Sequence, residues 1–325
     1  MEENTFESRV DLSALQASVE KIRDEISKVI VGQEQMITLL ITALLADGHV
    51  LIEGVPGVAK TLTAKLISGV ISVNFSRIQF TPDLMPSDVL GTSVYNLKTS
   101  EFEFKAGPIF SNIVLIDEIN RAPAKTQAAL FEVMEERQVT IDGQSHQMEF
   151  PYMVIATQNP IEHEGTYRLP EAQLDRFLFK IAVEYPSLDQ EVSILSGHQQ
   201  RKGKAPTGEI QRVLSAEEIM AYRNKVHDLH CEDNLLSYIA QIIQETRNSP
   251  ALFLGASPRA SVAILNGAKA YAAIQGRDFI TPEDIKFIAL PVLRHRVILT
   301  PDKEMEGVTS DEVITQIVDK IEVPR

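Results

Sequence analysis

A glycine-rich loop lies between an apolar strand candidate at 49–53 and an apolar helix candidate that starts near Leu62. The residues of this loop are Gly54, Val55, Pro56, Gly57, Val58, Ala59, Lys60 and Thr61. Where a strand, a glycine-rich loop and a helix follow one another, the backbone N–H groups of the loop point inward and can wrap a phosphate. The positive end of the helix dipole adds to this attraction. The segment therefore predicts a phosphate-binding loop at the edge of a sheet.

The last positions of the loop have distinct expected roles. Lys60 is expected to neutralise the outer phosphates of a nucleotide, and the Thr61 hydroxyl is expected to ligate Mg²⁺. Ala59 stands where such loops usually have a final glycine, and this is tolerable if residue 59 has a negative φ at the helix start. The alternative interpretation of the segment is an ordinary turn before a helix.

Two carboxylates follow an apolar strand candidate at 113–116. Asp117 and Glu118 end this strand, which delivers them to the carboxyl edge of the sheet, where the phosphate-binding loop also lies. Asp117 is expected to hold Mg²⁺, and Glu118 is expected to polarise the water that attacks the γ-phosphate. The alternative is a strand that merely ends in surface acids.

A third polar residue, Asn159, follows the apolar strand candidate at 152–157 and is expected at the same edge. Its side-chain amide can hydrogen-bond the γ-phosphate or the attacking water. Without these neighbours, the pair Asn159-Pro160 would indicate only a turn.

Two arginines are candidates for contacts with phosphate. Arg176 precedes the strand candidate at 177–183, and its planar guanidinium could stabilise transition-state charge across a subunit boundary. A surface salt bridge with Glu171 or Asp175 is the alternative. Arg259 lies in the first turn of a helix that a cap residue and a proline open. An arginine at this positive helix end indicates a nearby anion or, alternatively, a solvated surface residue.

Strand candidates alternate with helical patterns, which predicts an α/β fold with a parallel sheet. A helical pattern at 11–28 opens the chain, and the tight-turn signal Asp142-Gly143 predicts a β-hairpin. From 186 onward the pattern is helical with capping signals, and the stretch 199–208 is predicted to be an exposed loop. The predicted domains are a core at 1–185, which includes a hairpin at 137–150, and a smaller all-α domain at 186–325.

Charge and cysteine content narrow the choice of partners and compartment. Lys and Arg number 31 against 45 Asp and Glu, a formal charge of -14 that disfavours nucleic acid. The single cysteine, Cys231, cannot form an intramolecular disulfide, which fits a reducing compartment. The longest apolar stretch, 36–46, is too short to span a membrane, and the N-terminus lacks the pattern of a secretion signal. A cytoplasmic protein without membrane insertion is therefore expected.

With these motifs in place, the chain resembles the AAA+ superfamily over nearly its whole length, and the MoxR family in particular. Gly54–Thr61 resembles the Walker A motif, Asp117-Glu118 resembles Walker B, and Asn159 resembles sensor 1. The stretches 81–91, 118–123 and 169–177 are similar to segments typical of MoxR proteins. The resemblance implies adenine contacts for Val31, Gly32 and Gln33, nucleotide contacts for Gly54 through Thr61 and for Leu62, an arginine finger at Arg176 and a sensor 2 at Arg259.

The resemblance also implies a helix 2 insert region at 81–110 and a lid domain from about 186. It implies ATP and Mg²⁺ as cofactors, and a hexameric ring that binds ATP between subunits. The expected role is chaperone-like, with hydrolysis remodelling or maturing a client, and with a von Willebrand factor A domain protein as a possible partner. Three alternatives stay open: a nucleic-acid-stimulated motor, an ATP-gated scaffold, and the ATPase subunit of a metal chelatase.

Overall fold

The computed structural model describes residues 10–159, 167, 169–201 and 210–324. Contacts between Cα atoms divide the chain into two compact units. One unit is Lys21–Met220, and the other combines Met1–Glu20 with Ala221–Arg325. The domain boundary near 186 that the sequence pattern indicates stays a prediction.

Both β-strands and α-helices occur along the described residues. In chain order, the strands are β1 (Val50–Gly54), β2 (Phe75–Gln79), β3 (Gly91–Asn96), β4 (Glu101–Ala106), β5 (Ile113–Asp117), β6 (Gln138–Ile141), β7 (Gln144–Gln147), β8 (Met153–Gln158), β9 (Phe179–Val183), β10 (Leu252–Leu254) and β11 (Ile298–Leu299). The α-helices are α1 (Ser13–Ser27), α2 (Glu34–Leu45), α3 (Lys60–Val70), α4 (Pro86–Leu90), α5 (Ala124–Glu136), α6 (Glu171–Leu174), α7 (Leu188–Arg201), α8 (Ala216–His227), α9 (Asp233–Asn248), α10 (Pro258–Ile274), α11 (Pro282–Leu293), α12 (Pro301–Met305) and α13 (Ser310–Lys320).

A parallel sheet with the strand order β2-β5-β8-β1-β9 forms the centre of the unit Lys21–Met220. Every residue of β5 is buried, and β8 is buried except at its last residue. Strands covered on both faces have continuous apolar runs, which is why the sequence indicated them clearly. The predicted α/β fold with a parallel sheet is confirmed.

Helix α5 covers part of this sheet. Its side chains Leu130 and Phe131 belong to one buried cluster with Val114 of β5 and Val154 of β8. The ring of Phe131 also meets the ring of Phe177 edge to face, with 5.9 Å between their centroids. This packing holds β5 and β8 together, and both strands end at the carboxyl edge where the polar residues lie.

Two antiparallel hairpins are separate from the parallel sheet. Strands β3 and β4 pair within the predicted insert region, just after the short helix α4. Strands β6 and β7 pair around a turn in which Asp142 and Gly143 have φ values of 51° and 77°. Two consecutive positive φ values are typical of the two-residue turn that the Asp-Gly pair predicted.

Capping side chains start several helices of the second half of the chain. Thr281 and Asp284 form a capping box at α11, and Ser187 with Gln190 does the same at α7. The region predicted to be all-α also contains β-structure: β10 and β11 pair antiparallel, and His230 forms an isolated bridge with Phe279. These strands are only three and two residues long, too short for an alternation to be read from sequence. The predicted loop at 199–208 lies outside the described residues except 199–201, which belong to α7.

None of the helices that the structure describes is both long enough and apolar enough to cross a lipid bilayer.

Candidate active site

The glycine-rich loop connects β1 to α3, and Lys60 is the first residue of that helix. The Lys60 ammonium donates to the carbonyl oxygen of Gly54 at 2.6 Å and to that of Gln158 at 3.5 Å. It therefore lies between the carboxyl ends of β1 and β8. Gly57 has a φ of 88°, which explains why a glycine is needed at the bend of the loop.

Residue 59 does not meet the condition under which an alanine is tolerable. Ala59 has a φ of 60° and lies in the left-handed region at the N-cap of α3. Its carbonyl oxygen still accepts the Thr63 N–H at 2.9 Å, so the helix starts normally. The alanine is therefore held in a backbone conformation that L side chains rarely adopt. A Cβ in this region crowds the following carbonyl and costs about 1 kcal/mol.

We expect Ala59→Gly to stabilise the protein by about 0.5–1 kcal/mol, because the relief of left-handed strain exceeds the entropy cost of a glycine. The measurement is the free energy of unfolding in urea. Ala128→Gly is the matched control, since Ala128 is exposed inside α5, and it should destabilise by about 1 kcal/mol. If both variants lose stability equally, the left-handed strain at residue 59 is refuted.

Asp117 brings the loop and β5 together. Its carboxylate oxygens lie 3.3 and 3.4 Å from the Thr61 hydroxyl, which donates to them. The Thr157 hydroxyl donates to Oδ1 at 3.1 Å, and Arg77 Nε donates to Oδ2 at 2.6 Å. The carboxylate is buried at the end of the strand. The two residues that the sequence named as metal ligands, Thr61 and Asp117, are thus adjacent.

Glu118 follows at the same edge in an unusual backbone conformation. Its φ is 58°, and its N–H donates to the Thr157 hydroxyl at 3.1 Å. Its carboxylate accepts from Gln79 Nε2 at 2.7 Å and forms an ion pair with Arg121 at 3.0 Å. Positive φ is uncommon for a non-glycine residue, although turn and helix-end residues of this chain such as Ser72 and Arg137 also have it. Because Arg77 and Gln79 lie on one face of β2, the two carboxylates that they contact are on the same side of the sheet edge.

The other predicted residues of this unit are placed as follows. Asn159 is buried directly after Gln158, whose carbonyl accepts from Lys60, so it lies at the same edge. Arg176 donates to the carbonyl oxygen of Phe131 and lies 4.0 Å from a carboxylate oxygen of Glu135. Both of these partners belong to α5, a helix that the sequence did not connect with Arg176.

The predicted adenine-contact stretch, residues 31–33, adjoins the start of α7. Gly32 has a φ of 76°, and a Cβ added there would collide with the side-chain amide of Gln190. The Gln190 side chain itself accepts the Ser187 N–H at 2.9 Å. The end of the Gln190 side chain can move aside, so the positive φ is the feature that favours glycine at residue 32.

Arg259 belongs to the other compact unit. Pro258 opens α10, Ser257 is its N-cap, and Arg259 is exposed in the first turn, as the sequence indicated. Its role as sensor 2 stays a prediction.

Three residues near the carboxylates were missed by the sequence reasoning: Arg77, Gln79 and Thr157. Gln79 is paired with Asp117 across the parallel strands β2 and β5. Arg77, two residues earlier, points to the same face of the sheet. The available signal was the polar pair Arg77 and Gln79 at alternate positions near the end of β2. Only the strand order shows that β2 lies beside β5 and that these residues contact Asp117 and Glu118.

Comparison with known families supports the assignment of the fold. The family model "ATPase family associated with various cellular activities (AAA)" matches residues 49–179, and the "AAA lid domain" matches residues 244–317. A crystal structure of a protein from Cytophaga hutchinsonii superposes with a TM-score of 0.88 at 39% identity, covering 96% of this chain and 97% of that one. The fold and the site define an AAA+ ATPase.

Relatives of similar length identify the family within the AAA+ class. Chaperone MoxR1 of Mycobacterium tuberculosis is 42% identical over 323 residues, which cover 97% of this chain and 84% of that protein. Protein MoxR of Methylorubrum extorquens is 30% identical over 303 residues, 86% and 88% of the two chains. The uncharacterized protein YeaC of Bacillus subtilis is 46% identical over 304 residues, 94% of each. The chain belongs to the MoxR family of AAA+ ATPases.

Proposed function

We propose that this ATPase hydrolyses MgATP at the cluster of Lys60, Asp117 and Glu118 and uses the energy to remodel or mature partner proteins as a ring. The proposal rests on one observation. The Thr61 hydroxyl lies 3.3 Å from the Asp117 carboxylate, next to Lys60 of the glycine-rich loop. A cation and its oxygen ligands beside a glycine-rich loop are the parts that phosphoryl transfer requires.

An all-oxygen pair fits Mg²⁺, which binds through one or two carboxylates together with substrate phosphates. Thr61 and Asp117 would hold the ion, which neutralises charge on the phosphates when bound. Lys60 would contact the outer phosphates, and the amides of Gly54 through Thr61 and Leu62 would surround the chain of phosphates. In this proposal Val31, Gly32 and Gln33 contact the adenine.

Glu118 would orient the attacking water and accept its proton as the water attacks the γ-phosphorus in line with the departing oxygen. Asn159 would hold that water or the γ-phosphate through its amide. Arg176 of a neighbouring subunit and Arg259 would stabilise the charge that develops on the phosphate oxygens. These assignments rest on position at the sheet edge for Glu118 and Asn159, and on family resemblance for the two arginines.

The hairpin of β3 and β4 favours a protein client over nucleic acid. Its side chains Tyr95, Leu97 and Phe102 are 47%, 86% and 72% exposed. Apolar side chains that protrude together from a soluble surface are typical of contacts with other proteins. The hairpin carries Glu101 and Glu103 together with Lys98 and Lys105, so it has no net positive charge to attract a phosphate backbone. A relative that is named as a chaperone also favours a protein client.

We further propose a hexameric ring and a partner with a von Willebrand factor A domain, both on the basis of family resemblance. The single cysteine of the chain, Cys231, is free, which fits a reducing, cytoplasmic location.

The proposal is tested by assembly and capture with a hydrolysis-deficient protein. In ATP and Mg²⁺, Glu118→Gln should form a closed ring by mass photometry and should retain a client that is identified by mass spectrometry. Adding Leu97→Ser and Phe102→Ser to this protein should release the client and leave the ring intact, since apolar hairpin contacts are removed. A monomer at saturating ATP, or recovery of nucleic acid in place of protein, contradicts the proposal.

A further inference from the structure

Arg77 stands on β2, the edge strand of the parallel sheet, next to the acid that ends β5. In the register of the two strands Arg77 pairs with Leu115, and Asp117 lies two residues further along on the same face. The guanidinium reaches this neighbour diagonally, and Nε donates to Asp117 Oδ2 at 2.6 Å. The contact is therefore built into the strand register.

The carboxylate of Asp117 has its acceptor sites divided among different donors. Oδ1 accepts from Thr157 at 3.1 Å, while Oδ2 carries the short contact with Arg77, and the Thr61 hydroxyl faces both oxygens. The Arg77 side chain is 54% exposed, against 9% for Asp117. The buried Asp117 carboxylate is thus paired with the half-exposed Arg77 guanidinium. The pairing is at Oδ2, an oxygen that a metal ion or its water ligand would need.

Arg77 is also connected to the second acid. Its Nη2 donates to Gln79 Oε1 at 3.5 Å, and the amide nitrogen of Gln79 donates to Glu118 at 2.7 Å. Two residues of one edge strand therefore contact both carboxylates of the cluster. Arg77 cannot ligate a metal ion itself, because a guanidinium has no acceptor.

We propose that Arg77 is a positioning residue that competes with the divalent cation for Asp117 and so sets the cation concentration at which nucleotide binds. This inference rests on the proposed MgATP site. A positive charge at 2.6 Å lowers the affinity of the carboxylate for a second cation, and the half-exposed side chain can turn into solvent when the cation binds.

The test measures cation binding directly, with Mn²⁺ as the probe and ATP present. The loss of the electron paramagnetic resonance signal of free Mn²⁺ gives the dissociation constant. Arg77→Gln should bind Mn²⁺ about fivefold more tightly than the wild type, as expected for removal of a partly exposed ion pair. Arg77→Lys keeps the positive charge, so its Mn²⁺ affinity should stay within about twofold of the wild type. Arg121→Gln removes the positive partner of Glu118 instead of that of Asp117. It should also change the Mn²⁺ affinity by less than about twofold.

In steady-state ATPase assays, the Mg²⁺ concentration at half-maximal rate should fall by the same factor in Arg77→Gln. Unchanged or weaker Mn²⁺ binding in this variant overturns the inference, and so does an equal shift in Arg121→Gln, which would indicate a general effect of charge. If the wild type binds neither ATP nor Mn²⁺, the proposed MgATP site itself fails, and the inference falls with it.

Discussion

Glu118→Gln is expected to lower the ATP turnover number by at least about 100-fold, because an amide cannot accept the proton of the attacking water. Nucleotide affinity should remain close to that of the wild type, since Glu118 is directed to Gln79 and Arg121 rather than to the loop residues. The two quantities are measured by phosphate release and by binding of a fluorescent ATP analogue.

The matched control for this variant is Glu132→Gln, which makes the same chemical change at an exposed position of α5. It should hydrolyse ATP at the rate of the wild type. Hydrolysis by Glu118→Gln at a rate within a few-fold of the wild type would show that another group activates the water. A loss of nucleotide binding together with hydrolysis would instead indicate that Glu118 maintains the shape of the site.

Lys60→Ala is expected to weaken ATP binding by about 100-fold or more, because it removes a charge-assisted contact with the outer phosphates in a partly buried site. The variant also loses the hydrogen bond from the ammonium to the Gly54 carbonyl at 2.6 Å, so the loop is less constrained. Binding is followed by the rise in thermal midpoint with added MgATP, which depends on the ratio of ligand concentration to dissociation constant.

Lys65→Ala controls for the loss of a lysine from the same helix, since Lys65 is exposed on α3. Its midpoint should rise with MgATP as much as that of the wild type. If MgATP stabilises Lys60→Ala to the same degree, the loop does not bind the triphosphate, and the proposed site must lie elsewhere.

Most of the sheet edge could be predicted from sequence because it is built from local patterns. A buried strand such as β5 has an uninterrupted apolar run, and the acids that follow it must lie at its carboxyl end. The order of strand, loop and helix likewise places Lys60 at a helix start without knowledge of distant contacts.

The details that sequence reasoning missed depend on backbone conformation and on neighbours distant in the chain. Ala59 was expected to need a negative φ, yet the loop holds it in the left-handed region. Arg77 lies 40 positions before Asp117, and only the pairing of β2 with β5 brings the two together. Nor does any local pattern indicate that Arg176 contacts α5.

The sequence alone determined the parallel α/β core, the phosphate-binding loop and the residues that end each strand, because hydrophobic periodicity and loop chemistry act over short stretches. The tertiary structure decided which polar groups meet at that edge: Thr61 with Asp117, Gln79 with Glu118, and Arg77 with Asp117. Strand order and register set these contacts, and both depend on how distant segments pack together.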